Sequence, residues 1–336
     1  MLQCERARLD RWDPKQKALR DREEHMLAMY RPRWVPSLTA NVEWVRGFIE
    51  RIRVGYPFDR TAIAALFEAA PLARTLEISP ETGYSDMPPE AFEQLELGQF
   101  TGLFLRGFRW DEVRVRQVVE DGRLAAVDRL GLSGCSLGGG DLKALELRRF
   151  RELDLSTNAL GVRGVQHALA SASTLVELDL TNAGVNDHAV ILVAEARLPK
   201  LERLWLRSNQ LDEASLSRLG SRLPRLQVLD LAHNDPGQLG VEALGHASLP
   251  ALRELDLSNC ALTDDMVIAL AASPLIEQLA WLDLGHNEIG PAAARALASV
   301  ELPALRFLDL SSTAMGDEVA LVKHAHPHAR LVARAR

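Results

Sequence analysis

Residues 252–262 read LRELDLSNCAL. Leucines at the first, fourth, sixth and eleventh places, with Cys260 at the ninth, spell LxxLxLxx(N/C)xL. The same line returns as FRELDLSTNAL (150–160), LVELDLTNAGV (175–185), LERLWLRSNQL (201–211), LQVLDLAHNDP (226–236), LAWLDLGHNEI (279–289) and LRFLDLSSTAM (305–315). Upstream it continues, weaker each time, as VDRLGLSGCSL (127–137), FTGLFLRGFRW (100–110), ARTLEISPETG (73–83) and IERIRVGYPFD (49–59). The third apolar residue of each line marks the period at Val54, Ile78, Leu105, Leu132, Leu155, Leu180, Leu206, Leu231, Leu257, Leu284 and Leu310, with spacings of 23 to 27 residues. A period this tight marks a repeat array, in which each unit buries its apolar face only against its neighbours.

Each line divides physically. The LxL core is a short strand whose alternate leucines point inward, and the Asn or Cys that follows turns inward to bond loop backbone otherwise left unsatisfied. Cys135 and Cys260 therefore read as structural thiols. Between strands, GVRGVQHALASAS (161–173), DEASLSRLGSRL (212–223) and PAAARALASV (291–300) space their apolar residues helically, with Asp212 and Thr263 as cap residues. Pro236 replaces the last leucine of its line and is expected to distort the descending turn. GCSLGGGD (134–141) falls where a strand-to-helix turn belongs and lacks the Lys-Ser/Thr of a phosphate loop.

This pattern resembles the leucine-rich-repeat family, specifically its ribonuclease-inhibitor-like branch. The resemblance implies an α/β solenoid, a horseshoe of ten to eleven repeats over residues 49–322, with a parallel concave sheet and convex helices. It also implies a binding protein rather than an enzyme. At the strand spacing of about 4.8 Å such a sheet runs roughly 50 Å along its arc.

Composition narrows the class. The 336-residue chain is 47% hydrophobic, enough for a continuous core. It has no apolar run of the ~18 residues needed to span a bilayer, and the polar start MLQCERARLD lacks a secretory h-region. Cys4, Cys135 and Cys260 are too scattered for a disulfide framework or a zinc cage. A soluble cytoplasmic monomer is expected. Residues 1–53 carry twelve Lys/Arg against eight Asp/Glu, leaving 27 against 38 beyond them. The body is thus acidic, which disfavours nucleic acid and membrane partners.

The ends depart from the repeat. Residues 1–48 read as a helical cap: RWDPKQKALRDREEHMLAMY (11–30) is a charged amphipathic helix with Pro14 near its start, and Trp12, Trp34 and Trp44 supply aromatic cover. LQCERARLD, WVPSL and RGFIERIRV resemble the later part of a small bacterial repeat-companion domain. The chain opens at Met1 where the middle of that domain is expected, so either the start is a late one or the domain is truncated. Residues 323–336 form the other cap. There KHAHPHARLV (323–332) sets His324, His326 and His328 at alternate places of an expected extended strand, with Leu331 and Val332 covering the core.

The functional expectation follows from the register. The residue between the second and third leucines points out of the concave face: Arg53, Glu77, Phe104, Gly131, Asp154, Asp179, Trp205, Asp230, Asp256, Asp283 and Asp309. Two places earlier stand Glu152, Glu177, Arg203, Val228, Glu254, Trp281 and Phe307. One reading of the Asp row is a stripe that recruits a basic protein partner. The other is a family consensus that stabilises strands through local hydrogen bonds. Trp205 with Arg207, and Trp281 with Phe307, are candidate anchors, being of types enriched at interfaces. His233 and His286 follow their strands near Asp230 and Asp283 and read as turn residues. No HExxH, GxSxG, P-loop or paired CxxC occurs, and no catalytic residue, metal or cofactor is expected. The second reading is a regulator acting in trans, such as a GTPase-activating protein, with Arg207 or Arg106 as the contributing side chain.

Overall fold

The computed structural model describes residues 42–45, 48–83, 85–87, 91, 95, 97–147, 149–212, 216, 219 and 223–334, with positions 18, 21–22 and 25 before them. Most of the helix expected over 11–30, Trp12, Trp34, Cys4 and most of the companion-like segment lie outside them; the four described positions between 11 and 30 are helical. The chain forms two compact units, Met1–Ser136 and Leu137–Arg336.

In the first unit β1 (Val42–Val45) runs antiparallel to β2 (Phe48–Tyr56). β3 (Thr75–Pro80), β4 (Gly102–Leu105) and β5 (Arg129–Gly131) then add in parallel. Val54 pairs with Ile78, so the faint 49–59 line does join the sheet. Helices Arg60–Ala69 and Glu112–Glu120 connect the strands. Asp111 caps the second by accepting from the Arg114 amide at 3.0 Å.

The second unit repeats one motif. β6 (Glu152–Asp154), β7 (Glu177–Asp179), β8 (Arg203–Trp205), β9 (Val228–Asp230), β10 (Glu254–Asp256), β11 (Trp281–Asp283), β12 (Phe307–Asp309) and β13 (Arg330–Val332) pair in parallel, in chain order. The central leucines from Leu153 to Leu308 are fully buried, as are the marker leucines that follow. Helices 161–168, 187–195, 237–245, 264–271, 274–277, 291–299 and 319–325 fill the returns. The return that begins within GCSLGGGD is instead a 3-10 helix, Gly139–Leu147, entered by a turn in which Asp141 accepts from the Gly138 amide at 2.7 Å.

The inward Asn ladder carries the loops. The Asn287 amide nitrogen donates to the carbonyls of Leu257, Leu284 and Gly285, while its Oδ1 accepts from Cys260 and Leu262 amides of the preceding repeat. Asn209 and Asn234 repeat that pattern. Cys260 instead donates its thiol to the Leu231 carbonyl at 3.2 Å, and Cys135 donates to Leu105 at 3.3 Å. Burial pushes the Cys260 thiol up to about 12, an inert structural group. Two residues after each marker from Leu105 to Leu310 the backbone is left-handed: Gly107, Gly134, Thr157, Asn182, Ser208, His233, Asn259, His286 and Ser312 all have φ between 49° and 75°.

Three expectations are corrected. Pro236 does not distort its turn: it is buried, and Gly237 after it (φ 61°) matches Gly161 (55°) and Gly316 (58°), which follow Leu160 and Met315. Thr263 sits at its helix start in extended geometry but makes no side-chain cap. Asp264 beside it accepts from the amides of Gly290 and Ala292 in the next repeat, and Asp187 does the same for Asp212. The C-terminal histidines do not line an extended strand. His324 is in helix Val319–Ala325, whereas His326 and His328 bond the carbonyls of Leu297 and Leu302, and only Arg330–Val332 forms the closing strand.

Candidate functional site

Because each central leucine of β6 to β12 points into the core, its two neighbours stand on the opposite, open face. The pairing fixes which of them are adjacent. Trp205, Asp230, Asp256, Asp283 and Asp309 form one row, in register across β8 to β12. Arg203, Val228, Glu254, Trp281, Phe307 and Arg330 form the parallel row.

The recurrent aspartates have a local job. Asp179, Asp230, Asp256, Asp283 and Asp309 each accept through Oδ1 from the backbone N–H two residues on, at 2.7–2.9 Å. Asp154 does so for Ser156 at 3.2 Å. This Asx turn ends the strand and leads the chain into the left-handed residue that follows. The consensus reading thus has a physical basis, but alignment also brings the carboxylates close together. Burial, then the neighbouring Asp256 charge, raises Asp230 to about 6, against the opposing Ala232 N–H and Arg207. Burial likewise raises Asp283 to about 7, with the Asp256 and Asp309 charges adding to it.

Trp205 occupies the one place in β6 to β12 where the row has no carboxylate. Arg207, two residues on, reaches across to Asp256 at 3.9 Å. Trp281 and Phe307 stack, with ring centroids 5.7 Å apart and planes 9° from parallel. Arg330 lies over the Phe307 ring at 5.9 Å. The two candidate anchors are separate, since β8 and β11 stand three strand spacings apart, roughly 14 Å.

The expected His–Asp proximity does not form a dyad. His233 and His286 hold left-handed turn positions, and the His233 Nδ1 partner is the Asn259 amide at 2.8 Å. Burial and the Arg207 charge lower the His233 pKa, the reverse of what an aspartate partner does. Among the described residues no group of three or more His, Cys, Asp or Glu could hold a metal ion. No helix among them is long and apolar enough to cross a membrane.

Comparison with known proteins agrees with this architecture. A family model described as Leucine Rich repeat matches residues 249–271 and 282–298. Ribonuclease inhibitor of Sus scrofa is 33% identical over 48% of this chain and 38% of its own length; that of Mus musculus is 30% identical over 55% and 45%. Its repeats are thus similar to those of leucine-rich-repeat proteins of the ribonuclease-inhibitor-like branch. This repeat protein spans less than half the length of those relatives. In fold it is similar to the Rad7 and Elc1 complex of yeast, with TM-score 0.56 and 15% identity over 84% of this chain and 73% of that one.

Sequence reasoning missed Arg330 in the second unit and Arg51 and Glu43 in the first. Arg330 follows no LxxLxL line, so only the pairing of β13 with β12 shows that it extends the aromatic row. In the first unit, Glu77 is ringed by Arg51 (3.6 Å), Arg53 (3.4 Å) and Arg106 (3.4 Å), with Glu43 shared by Arg51 and Arg53. Arg51 also covers Phe104, its guanidinium carbon 5.3 Å from the ring centroid. The period had pointed to Arg53, Glu77, Phe104 and Arg106; Arg51 and Glu43 needed the β1–β2 register. Arg207 and Arg106, the candidates for action in trans, each face a carboxylate of this chain.

Proposed function

We propose that this protein is a non-catalytic interaction scaffold that binds a basic protein partner on the open face of β8 to β12. The observation that carries this reading is the in-register face itself: four aspartates in one row, beside half-exposed Trp205, Trp281 and Phe307. Large aromatic side chains and arginine supply most of the energy of protein interfaces, and a row of like charge steers an oppositely charged partner. The two relatives named as ribonuclease inhibitors act on another protein, which supports the same class of role here.

The test is capture of partners with the full chain, followed by affinity measurement on the strongest. Trp205→Ala and Trp281→Ala are each expected to weaken binding by about tenfold or more, and added salt to slow association. A partner that binds both variants as tightly as the parent chain sinks this reading.

A further inference from the structure

The stacked pair at the start of β11 and β12 is more specific than a generic apolar patch. Both rings are half-exposed on a sheet face whose other residues, Trp205 and Val228 apart, are charged across β8 to β12, and they lie nearly parallel at 5.7 Å. Two residues along the same strands stand Asp283 and Asp309, on the same face, with Asp256 on the neighbouring strand. A planar cation meets two complementary environments there, a π face and a carboxylate edge.

The chain's own arginines already use both environments. Arg330 sits over Phe307 at one side of the pair, and Arg207 reaches Asp256 from the other direction across the sheet. Glu254 and the four aspartates from Asp230 to Asp309 outnumber the three guanidiniums of Arg203, Arg207 and Arg330, so the face has an excess of acidic groups. Burial raises the carboxyl groups of Asp230 and Asp283, and the neighbouring carboxylate charges add to it. Guanidinium suits such a place better than ammonium, because it is planar, stacks on aromatic faces, is less strongly hydrated and forks onto carboxylates.

Building on the scaffold reading, we propose that the Trp281–Phe307 pair with Asp283 and Asp309 is a docking seat for an arginine side chain of the protein partner, selective for arginine over lysine. The strands that carry both rings are paired in register, the rings stack on each other, and both carboxylates are held by their Asx turns. Little side-chain ordering is then left for binding to impose.

The test uses the full chain with ¹⁵N-labelled tryptophan, titrated with tri-arginine amide and, separately, tri-lysine amide, which carry equal charge. Trp281→Phe assigns the indole resonance. The expected result is a saturable shift of the Trp281 indole N–H, with tri-arginine binding roughly three- to tenfold tighter than tri-lysine. Phe307→Leu, an apolar replacement, is expected to remove that preference while leaving charge-driven binding, and Asp283→Asn to weaken both peptides. Equal affinity for the two peptides overturns arginine selectivity but leaves an acidic interaction face intact. Absence of any shift at Trp281 overturns the seat altogether, while the scaffold reading stands or falls on its own alanine variants.

Discussion

Pro236 stands in the repeat before Cys260, at the place whose backbone amide would meet the Cys260 side chain. At equivalent places the Val185, Leu211 and Leu262 amides donate to Asn209, Asn234 and Asn287. Cys260 spends its thiol hydrogen on the Leu231 carbonyl and has no amide oxygen to offer. Proline removes the amide at the junction where the inward side chain lacks an oxygen, so the two departures from the repeat fall at one place.

That relationship predicts a coupling. Pro236→Leu places a buried N–H opposite a thiol and is expected to cost about 1–3 kcal/mol. Combining it with Cys260→Asn restores the donor and acceptor seen elsewhere. The double variant is expected to be more stable than the sum of the single changes by about 1 kcal/mol or more. Urea unfolding of all four proteins measures the coupling, and simple additivity would show that the two positions are independent.

The ladder itself predicts a larger effect at Asn287. It joins five backbone groups of two repeats and is 1% exposed. Asn287→Ala strands those buried groups and is expected to lower stability by about 3 kcal/mol or more. Hydrogen exchange should become faster at the Cys260 and Leu262 amides specifically, since these lose their acceptor. Protection unchanged at both amides would contradict the assignment.

Gly131 carries a steric prediction for the first unit. A Cβ there would lie 2.3 Å from the Phe104 ring, which packs against the glycine on the adjacent strand. Gly131→Ala is expected to destabilise by about 1–3 kcal/mol, as overpacking of a buried ring does. Pairing it with Phe104→Leu should recover part of the loss in thermal unfolding. An alanine variant as stable as the parent chain would rule out the close packing.

How much of this was legible in the sequence depended on whether a residue repeats. Leu255 and Asn287 were readable because the same environment recurs every 23 to 27 residues, and register then aligned Trp281 with Phe307 without coordinates. Residues that act across repeats were not. The cap that Asp264 gives to Gly290, and the approach of Arg330 to Phe307, join positions whose spacing reflects the return helix, which varies in length. Pro236 was misread for a related reason: in isolation it breaks a pattern, and the departure that meets it lies 24 positions away at Cys260. The aspartates look alike in sequence, yet burial and neighbouring charge single out Asp230 and Asp283.

Asp283 therefore carries a pH prediction whose sign follows from linkage. Its folded-state value of about 7 lies above the ordinary 3.8, so the folded protein holds a proton that the unfolded chain has already released. Between about pH 4 and pH 7 this group's contribution makes stability fall as pH rises, and above pH 7 the penalty is fully developed. Asp283→Asn keeps an acceptor for the Gly285 amide, 2.8 Å away in the parent chain, but carries no charge. Relative to the parent chain, the variant is expected to be more stable by on the order of 1 kcal/mol at pH 8, after allowance for solvent screening, with the difference shrinking toward zero at pH 4. Paired urea titrations at pH 4, 6 and 8 measure it. A difference that stays constant with pH would show that Asp283 titrates like an ordinary surface carboxylate, and a variant less stable at pH 8 would mean that its charge supports the sheet.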